Sequence, residues 1–158
     1  MATAIAFELI EQQIVSRDER RVRDAIVSLH RAHFTKDGGA VAERYTPDAR
    51  IFNLAPPLEH RGIDIAEKQA WFDSWETPIE IVPRDLEITV SGDFAFAHCF
   101  LEMAGTKKGP EGKVRFWMRE TLAFERVRGS WRIVHEHSSV PFYMDDSLRP
   151  AFDLLPQS

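Results

Sequence analysis

Two imidazoles two residues apart, His135 and His137, lie in the run Trp131-Arg132-Ile133-Val134-His135-Glu136-His137-Ser138-Ser139-Val140. Alternate side chains of a strand share a face, so Trp131, Ile133, His135 and His137 are predicted to point the same way. Imidazole titrates near neutral pH, and a strand that only filled a core would not need two of them. The pair is the first candidate for general acid/base chemistry, in a pocket at the apolar end of a sheet. Further polar residues fall where a strand pattern predicts burial. His98 lies with Phe94, Phe96 and Phe100 on one face of its run, opposite Ala95, Ala97, Cys99 and Leu101. Glu120 interrupts the apolar face Phe116, Met118, Leu122 and Phe124. There it is either an ion-pair partner of a neighbouring arginine or a carboxyl whose ionised form is disfavoured. On the opposite face, Arg119 and Trp117 suit an anion or a planar ligand. Sequence leaves Glu120 and Arg119 as rivals for the inside.

Other chemistries find less support. His135, His137 and His98 could supply three nitrogen ligands, but no carboxylate at motif spacing completes a recognised set, so no metal is expected. Ser138 and Ser139 lack a nucleophile-elbow context. Cys99 sits beside alanines and reads as packing. The glycines fall in turns rather than in a phosphate-cradling loop, and no cofactor is expected. Trp71, Trp75, Trp117 and Trp131 read first as core or interface, with Trp75, Trp117 and Phe100 also candidates to line a ligand site.

The elements that must position these residues follow from periodicity. Ser16 with Glu19 is a capping-box signature. The stripe Val22, Ile26, Leu29, His30 and His33 then predicts a helix from about 17 to 36, ended by Asp37-Gly38-Gly39. The segment around Ile5 to Ile14 is expected to be a separate short helix. A short helix near Val41 to Arg44 precedes a strand over 49–54, broken by Pro56-Pro57. A short strand near 58–60 and a helix over 62–75 follow. Long strands are predicted over 80–90, 94–106, 113–126 and 131–142, joined by short turns and therefore antiparallel. Helices first and a meander afterwards is an α+β pattern. It divides into an N-terminal helical extension (1–15), a cone domain (16–143) and a C-terminal tail (144–158).

Composition bounds the function classes. The chain has 158 residues, 44% of them hydrophobic and 28% charged, an ordinary mix for one globular domain. A formal net charge of -5 gives no electrostatic reason to expect nucleic acid or an anionic membrane. One cysteine suits a reducing cytoplasm, and neither a signal peptide nor a spanning segment is expected.

The pattern resembles the SnoaL-like branch of the nuclear transport factor 2-like superfamily, which includes ketosteroid isomerases and polyketide cyclases. The resemblance rests on the long first helix, Tyr45-Thr46-Pro47-Asp48-Ala49 and the Gly62 helix opening. Arg119-Glu120-Thr121 and Gly129 to Ser139 complete it. The last stretch is also similar to the association domain of calcium/calmodulin-dependent kinases, an assembly module. The resemblance implies an α+β cone in which long N-terminal helices pack in a curved antiparallel sheet, and a homodimer paired through its sheets. It implies a small-molecule enzyme of isomerase, cyclase or lyase type, acting on a largely apolar, carbonyl-bearing substrate. Ketosteroid isomerases carry a catalytic Asp at the place of Asn53, and a neutral amide cannot serve as that base. Because imidazole titrates near working pH, His137 or His135 is expected to be the general acid/base, with Arg119 or Asn53 stabilising oxyanion charge and His98 orienting the substrate. The alternative is a ligand-binding or assembly module of the same fold without catalysis.

Overall fold

The computed structural model describes residues 2–110 and 112–157, with side chains from residue 17 onward. Its elements are α1 (Ala2–Phe34), α2 (Gly38–Ala42), β1 (Tyr45–Phe52), β2 (His60–Arg61) and α3 (Ile65–Asp73). Strands β3 (Glu80–Ser91), β4 (Phe94–Thr106), β5 (Lys113–Val127) and β6 (Ser130–Ser139) complete it. Helix α1 runs without a break through position 16, where the sequence predicts a helix start. The Ser16 side chain and whatever residues 2–16 pack against lie outside the described side chains. Among the described residues, no helix is long and apolar enough to cross a membrane.

One curved, unclosed sheet carries the strands in the order β2-β1-β6-β5-β4-β3. The four long strands form the predicted antiparallel meander, whereas β1 joins β6 in parallel. The alternation in β4 sets the two faces of the sheet. Ala95, Ala97, Cys99 and Leu101 are buried, while Phe94, Phe96, His98 and Phe100 are exposed on the other side. The stripe Val22, Ile26 and Leu29 of α1 joins Phe72, Trp75, Ile79, Phe124 and Ile133 in the core on the concave face. The result is the α+β cone.

Polar caps and ties hold the helices at one end of this core. Asp37 caps α2 by accepting from the Ala40 N–H at 2.8 Å, and Asp64 caps α3 by accepting from the Glu67 N–H at 3.0 Å. Gln69 links α3 back to α2, accepting from the Gly38 N–H at 3.1 Å and donating to the Lys36 carbonyl at 3.2 Å. Two glycines are required by close approach. A Cβ on Gly62, which has φ of +63°, would stand 2.3 Å from the Pro47 carbonyl oxygen. One on Gly105 would stand 2.9 Å from the Trp75 ring.

The other end of the core is tied by a forked ion pair. Arg126 on β5 donates through both terminal nitrogens to the buried Asp18 carboxylate of α1, at 3.1 and 2.6 Å. Its guanidinium lies 4.6 Å from the centre of the Trp131 ring. The Arg126 hydrogen bonds hold the Asp18 carboxyl below the usual aspartate range, against the opposing effect of burial. A lowered folded value adds stability above the ordinary aspartate range, and that stability is lost as pH falls through the folded value. Arg126→Ala is expected to cost on the order of 2 kcal/mol, between exposed and buried pairs. Urea titrations at pH 7 and pH 3 check this, since the deficit should shrink at the lower pH. An equal deficit at both would leave lost packing on Trp131 as the cause.

Candidate active site

The interior polar group is built by a β-bulge. In the β5–β6 ladder, Phe124 pairs with Ile133 and Ala123 with His135, so Val134 is an extra residue. An extra residue shifts the phase of alternation by one position. Before it, Trp131 and Ile133 face the core; after it, Glu136 and Ser138 do, opposite Leu122 and Glu120. His135 and His137 are thereby turned to the outer face, beside Ala123 and Thr121. The predicted common face of Trp131, Ile133, His135 and His137 does not form, because simple alternation cannot cross a bulge.

Inside, Glu136 is held by two hydroxyls. The Tyr45 hydroxyl donates to its Oε2 in a short hydrogen bond, and the Ser138 hydroxyl donates to its Oε1 at 3.2 Å. Tyr45 reaches this position because β1 runs parallel to β6 and pairs Tyr45 with Ile133. Burial, followed by the nearby Glu136 charge, pushes the Tyr45 hydroxyl well above its ordinary value and keeps it a donor. Glu120, across the ladder from Ser138, is buried and sits diagonally from Glu136. No arginine pairs with it among the described residues, so the ion-pair reading of Glu120 fails there. Burial first, then the charge of Glu136, drives the Glu120 carboxyl well above the usual range. Its contact is the Cys99 thiol, with Sγ 3.9 Å from Oε2. Burial and Glu120 in turn push that thiol up to about 12, which keeps it protonated and inert.

The helices close the group from the other side. His33 donates from Nδ1 to the Leu29 carbonyl at 3.0 Å and meets Phe72 edge-on at 5.5 Å. Burial pulls His33 down to about 3 and His30 to about 4, so both rings are neutral at pH 7. Lys68 on α3 sets its amine 5.0 Å from the centre of the Trp71 ring and feels the Glu136 charge across the interior.

Most residues predicted from the sequence stand elsewhere. His135, His137, His98, Phe100, Trp117 and Arg119 share the outer face, across paired positions of β4, β5 and β6. There His135 donates from Nδ1 to the Arg50 carbonyl at 2.8 Å, and Phe52 meets both β6 imidazoles edge-on at 5.0 and 5.9 Å. His98 lies 3.7 Å from exposed Glu87. Asn53 is exposed in the loop after β1, where its side-chain oxygen accepts from the Ala55 N–H at 3.0 Å. Trp75 is a core residue against Gly105. Glu120 alone of the predicted set belongs to the interior group. Tyr45, Glu136, Ser138, His33 and Lys68 were not singled out by the sequence for chemistry. One signal was legible: Lys68, Trp71 and Phe72 follow the i, i+3, i+4 spacing of one helix face. The recess at the C-terminal tail, about 370 Å³, is lined by Tyr143, Asp145, Arg149, Pro150 and Asp153, outside this group.

Comparison with known proteins agrees with the architecture. The model of the SnoaL-like domain matches residues 22–143. An NTF2-like protein of unknown function from Pseudomonas putida is 25% identical, with a TM-score of 0.78 over 89% of this chain and 98% of that one. A protein of the NTF2-like family from Streptomyces avermitilis, provisionally named a dehydratase, is 20% identical. Its TM-score is 0.67 over 78% of this chain and 96% of that one. A protein from Shewanella frigidimarina, provisionally named a ketosteroid isomerase, is 19% identical. Its TM-score is 0.60 over 73% and 92% of the two chains. No curated protein sequence matches the chain.

Proposed function

Because this chain belongs to the SnoaL-like domain family, we propose that it is a small-molecule enzyme of isomerase, cyclase or lyase type whose interior carboxyls move protons on an apolar, carbonyl-bearing substrate. The observation that carries this reading is the bulge at Val134, which aims Glu136 and Ser138 at Glu120. Bulges beside active sites commonly re-aim a side chain in this way. Two carboxyls in one site, given different environments, divide the acid and base roles between them. Glu120, unpaired and driven towards its neutral form, is the acid. Glu136, accepting from two hydroxyls, is the base. The proton chemistry that the sequence assigns to His137 and His135 passes to this pair, since both imidazoles lie on the outer face. Tyr45, as a neutral hydroxyl, can donate to a developing oxyanion once substrate displaces part of its bond to Glu136.

Glu136→Gln is expected to keep the fold and lower kcat by about 100-fold or more, the size of a positioned acid/base contribution. The test is turnover of a substrate identified from a metabolite library, beside His137→Ala as a control that retains activity. Loss with His137→Ala and retention with Glu136→Gln would return the role to the imidazole.

The exposed face supports a second part of the reading, a homodimer paired sheet to sheet. Phe94, Phe96 and Phe100 are 51%, 47% and 37% exposed on one face of β4, with His98 between the last two. Charged residues border them, since Phe100 pairs with Arg84 and Arg119, and exposed Val82 pairs with Glu102. Exposed aromatic side chains rimmed by charged residues in this way suit a protein interface. Assembly without catalysis, as a ligand-binding or assembly module, is the outcome if neither carboxyl variant affects turnover of any substrate. Reaction within the cytoplasm is the setting that the single thiol suits.

A further inference from the structure

The Glu120 carboxyl is buried on the inner face of the sheet, and one thiol is its side-chain donor. Cys99 of β4 stands directly across the ladder, also buried, with its Sγ 3.9 Å from Oε2. The neighbours on that face, Ala97, Leu101, Met118 and Leu122, carry no side-chain donor. On β6, Ser138 stands across from Glu120 but donates its hydroxyl to Oε1 of Glu136. Among the described residues no other side chain bonds the Glu120 carboxyl. We propose that Cys99 is a positioning residue for Glu120, its S–H holding Oε2 as the acceptor oxygen so that Oε1 carries the acidic proton. This role rests on Glu120 being the acid, as read above, and adds the group that orients it.

Sulfur suits this task better than oxygen. A neutral carboxyl has one oxygen that accepts and one that donates, so a donor at the first fixes the proton on the second. A hydroxyl in the same place would bond the carboxylate strongly and favour ionisation. A thiol is a weak donor, so it orients the carboxyl and leaves it protonated. The thiol keeps its own proton, since burial and Glu120 push it up to about 12. The groups acting on Glu120 agree with this division. Burial comes first and Glu136 of β6 next, both raising it, and the Cys99 contact, the smallest of the three, lowers it. Tyr45 of β1 is a neutral hydroxyl that feels Glu120 in turn. On the helix side, His33 of α1 is neutral and Lys68 of α3 feels Glu136.

Two measurements on the intact protein test the contact, and neither needs a substrate. The chain has one cysteine, so its infrared spectrum holds a single S–H stretching band. Glu120→Met removes the acceptor at similar volume and should move that band to the higher frequency of a free thiol. Ala97→Gly, a packing change at the neighbouring position of the same face, should leave it in place. The second measurement is the fall in stability with rising pH, which levels off where folded Glu120 ionises. Taken against the same protein carrying Glu120→Gln, Cys99→Ser should bring the levelling-off to lower pH by about half a unit or more. Cys99→Ala should move it to higher pH, whereas Ala97→Gly should lower Tm equally at every pH. A parent band at the Glu120→Met frequency, or a levelling-off unmoved in Cys99→Ser or in Cys99→Ala, overturns the positioning role. The acid reading fails separately, through full turnover in Glu120→Gln, which would leave the Cys99 contact standing.

Discussion

Glu120→Gln is expected to abolish turnover and at the same time to make the protein more stable than its parent at pH 8. In the folded chain the Glu120 carboxyl holds its proton far above the usual range, chiefly because it is buried, and further because Glu136 stands nearby. The unfolded chain releases that proton near the ordinary glutamate value of about 4.3. The folded state therefore binds more protons than the unfolded state through the interval between the two values. Stability then falls as pH rises across that interval. Glutamine carries no proton to lose and fills nearly the same volume, so the variant lacks this decline. The gain at pH 8 should be about 1–3 kcal/mol, the scale of an uncompensated buried polar group. It should appear as a rise in Tm of several degrees for a chain of this size. Near pH 4 the two proteins should melt together, because both states of the parent are then protonated. Thermal melts across pH 4 to 8 decide the matter. A constant difference between variant and parent at every pH would mean that Glu120 keeps its proton in neither state differently, and the acid assignment would fall with it.

Paired charge substitutions on the outer face, Phe96→Glu with Phe100→Glu, should convert the protein from dimer to monomer with the fold intact. Both rings are substantially exposed on one face of β4, with buried Ala97 and Cys99 facing the other way. Each carboxylate would have to be desolvated to re-form a sheet-to-sheet contact, a cost of several kcal/mol per ion. Each would cost little in a free subunit, where it meets water. Sedimentation velocity at micromolar concentration, beside far-ultraviolet circular dichroism, separates dissociation from unfolding. A parent that sediments as a monomer would remove the dimer at once. Because the face also carries His98, His135, His137 and Arg119, the variant tests whether these residues belong to an interface rather than to a reacting centre.

Much of the scaffold was legible before any coordinates, for identifiable reasons. The bounds of β4 are legible to the residue, since the Gly92 and Gly109 turns enclose a run that begins by alternating Phe94, Phe96, His98 and Phe100 with Ala95, Ala97 and Cys99. The start of β5 is legible from the Gly109 turn, and that of β3 from the change of sequence character at Glu80. The first helix was legible from its apolar stripe, although the capping signature at Ser16 does not mark its start. A favourable cap sequence inside a long helix yields to continued backbone hydrogen bonding. The strand from Trp131 was legible as a strand and misread in its facing. Nothing in Ile133-Val134-His135 announces an unpaired residue, because a bulge is decided by how β6 meets both β5 and β1.

The amino-acid order alone determined the period of each segment, and with it the α+β pattern and a carboxyl in an apolar strand face. Those properties are local, since propensity, alternation and turn chemistry act over a few residues. Tertiary structure decided which carboxyls meet. One extra residue at Val134 exchanges the two faces of the last strand's end, bringing Glu136 to Tyr45 and Glu120 and sending His135 and His137 outward. Side-chain direction along a strand has a period of two, so a single non-local slip reverses every assignment beyond it.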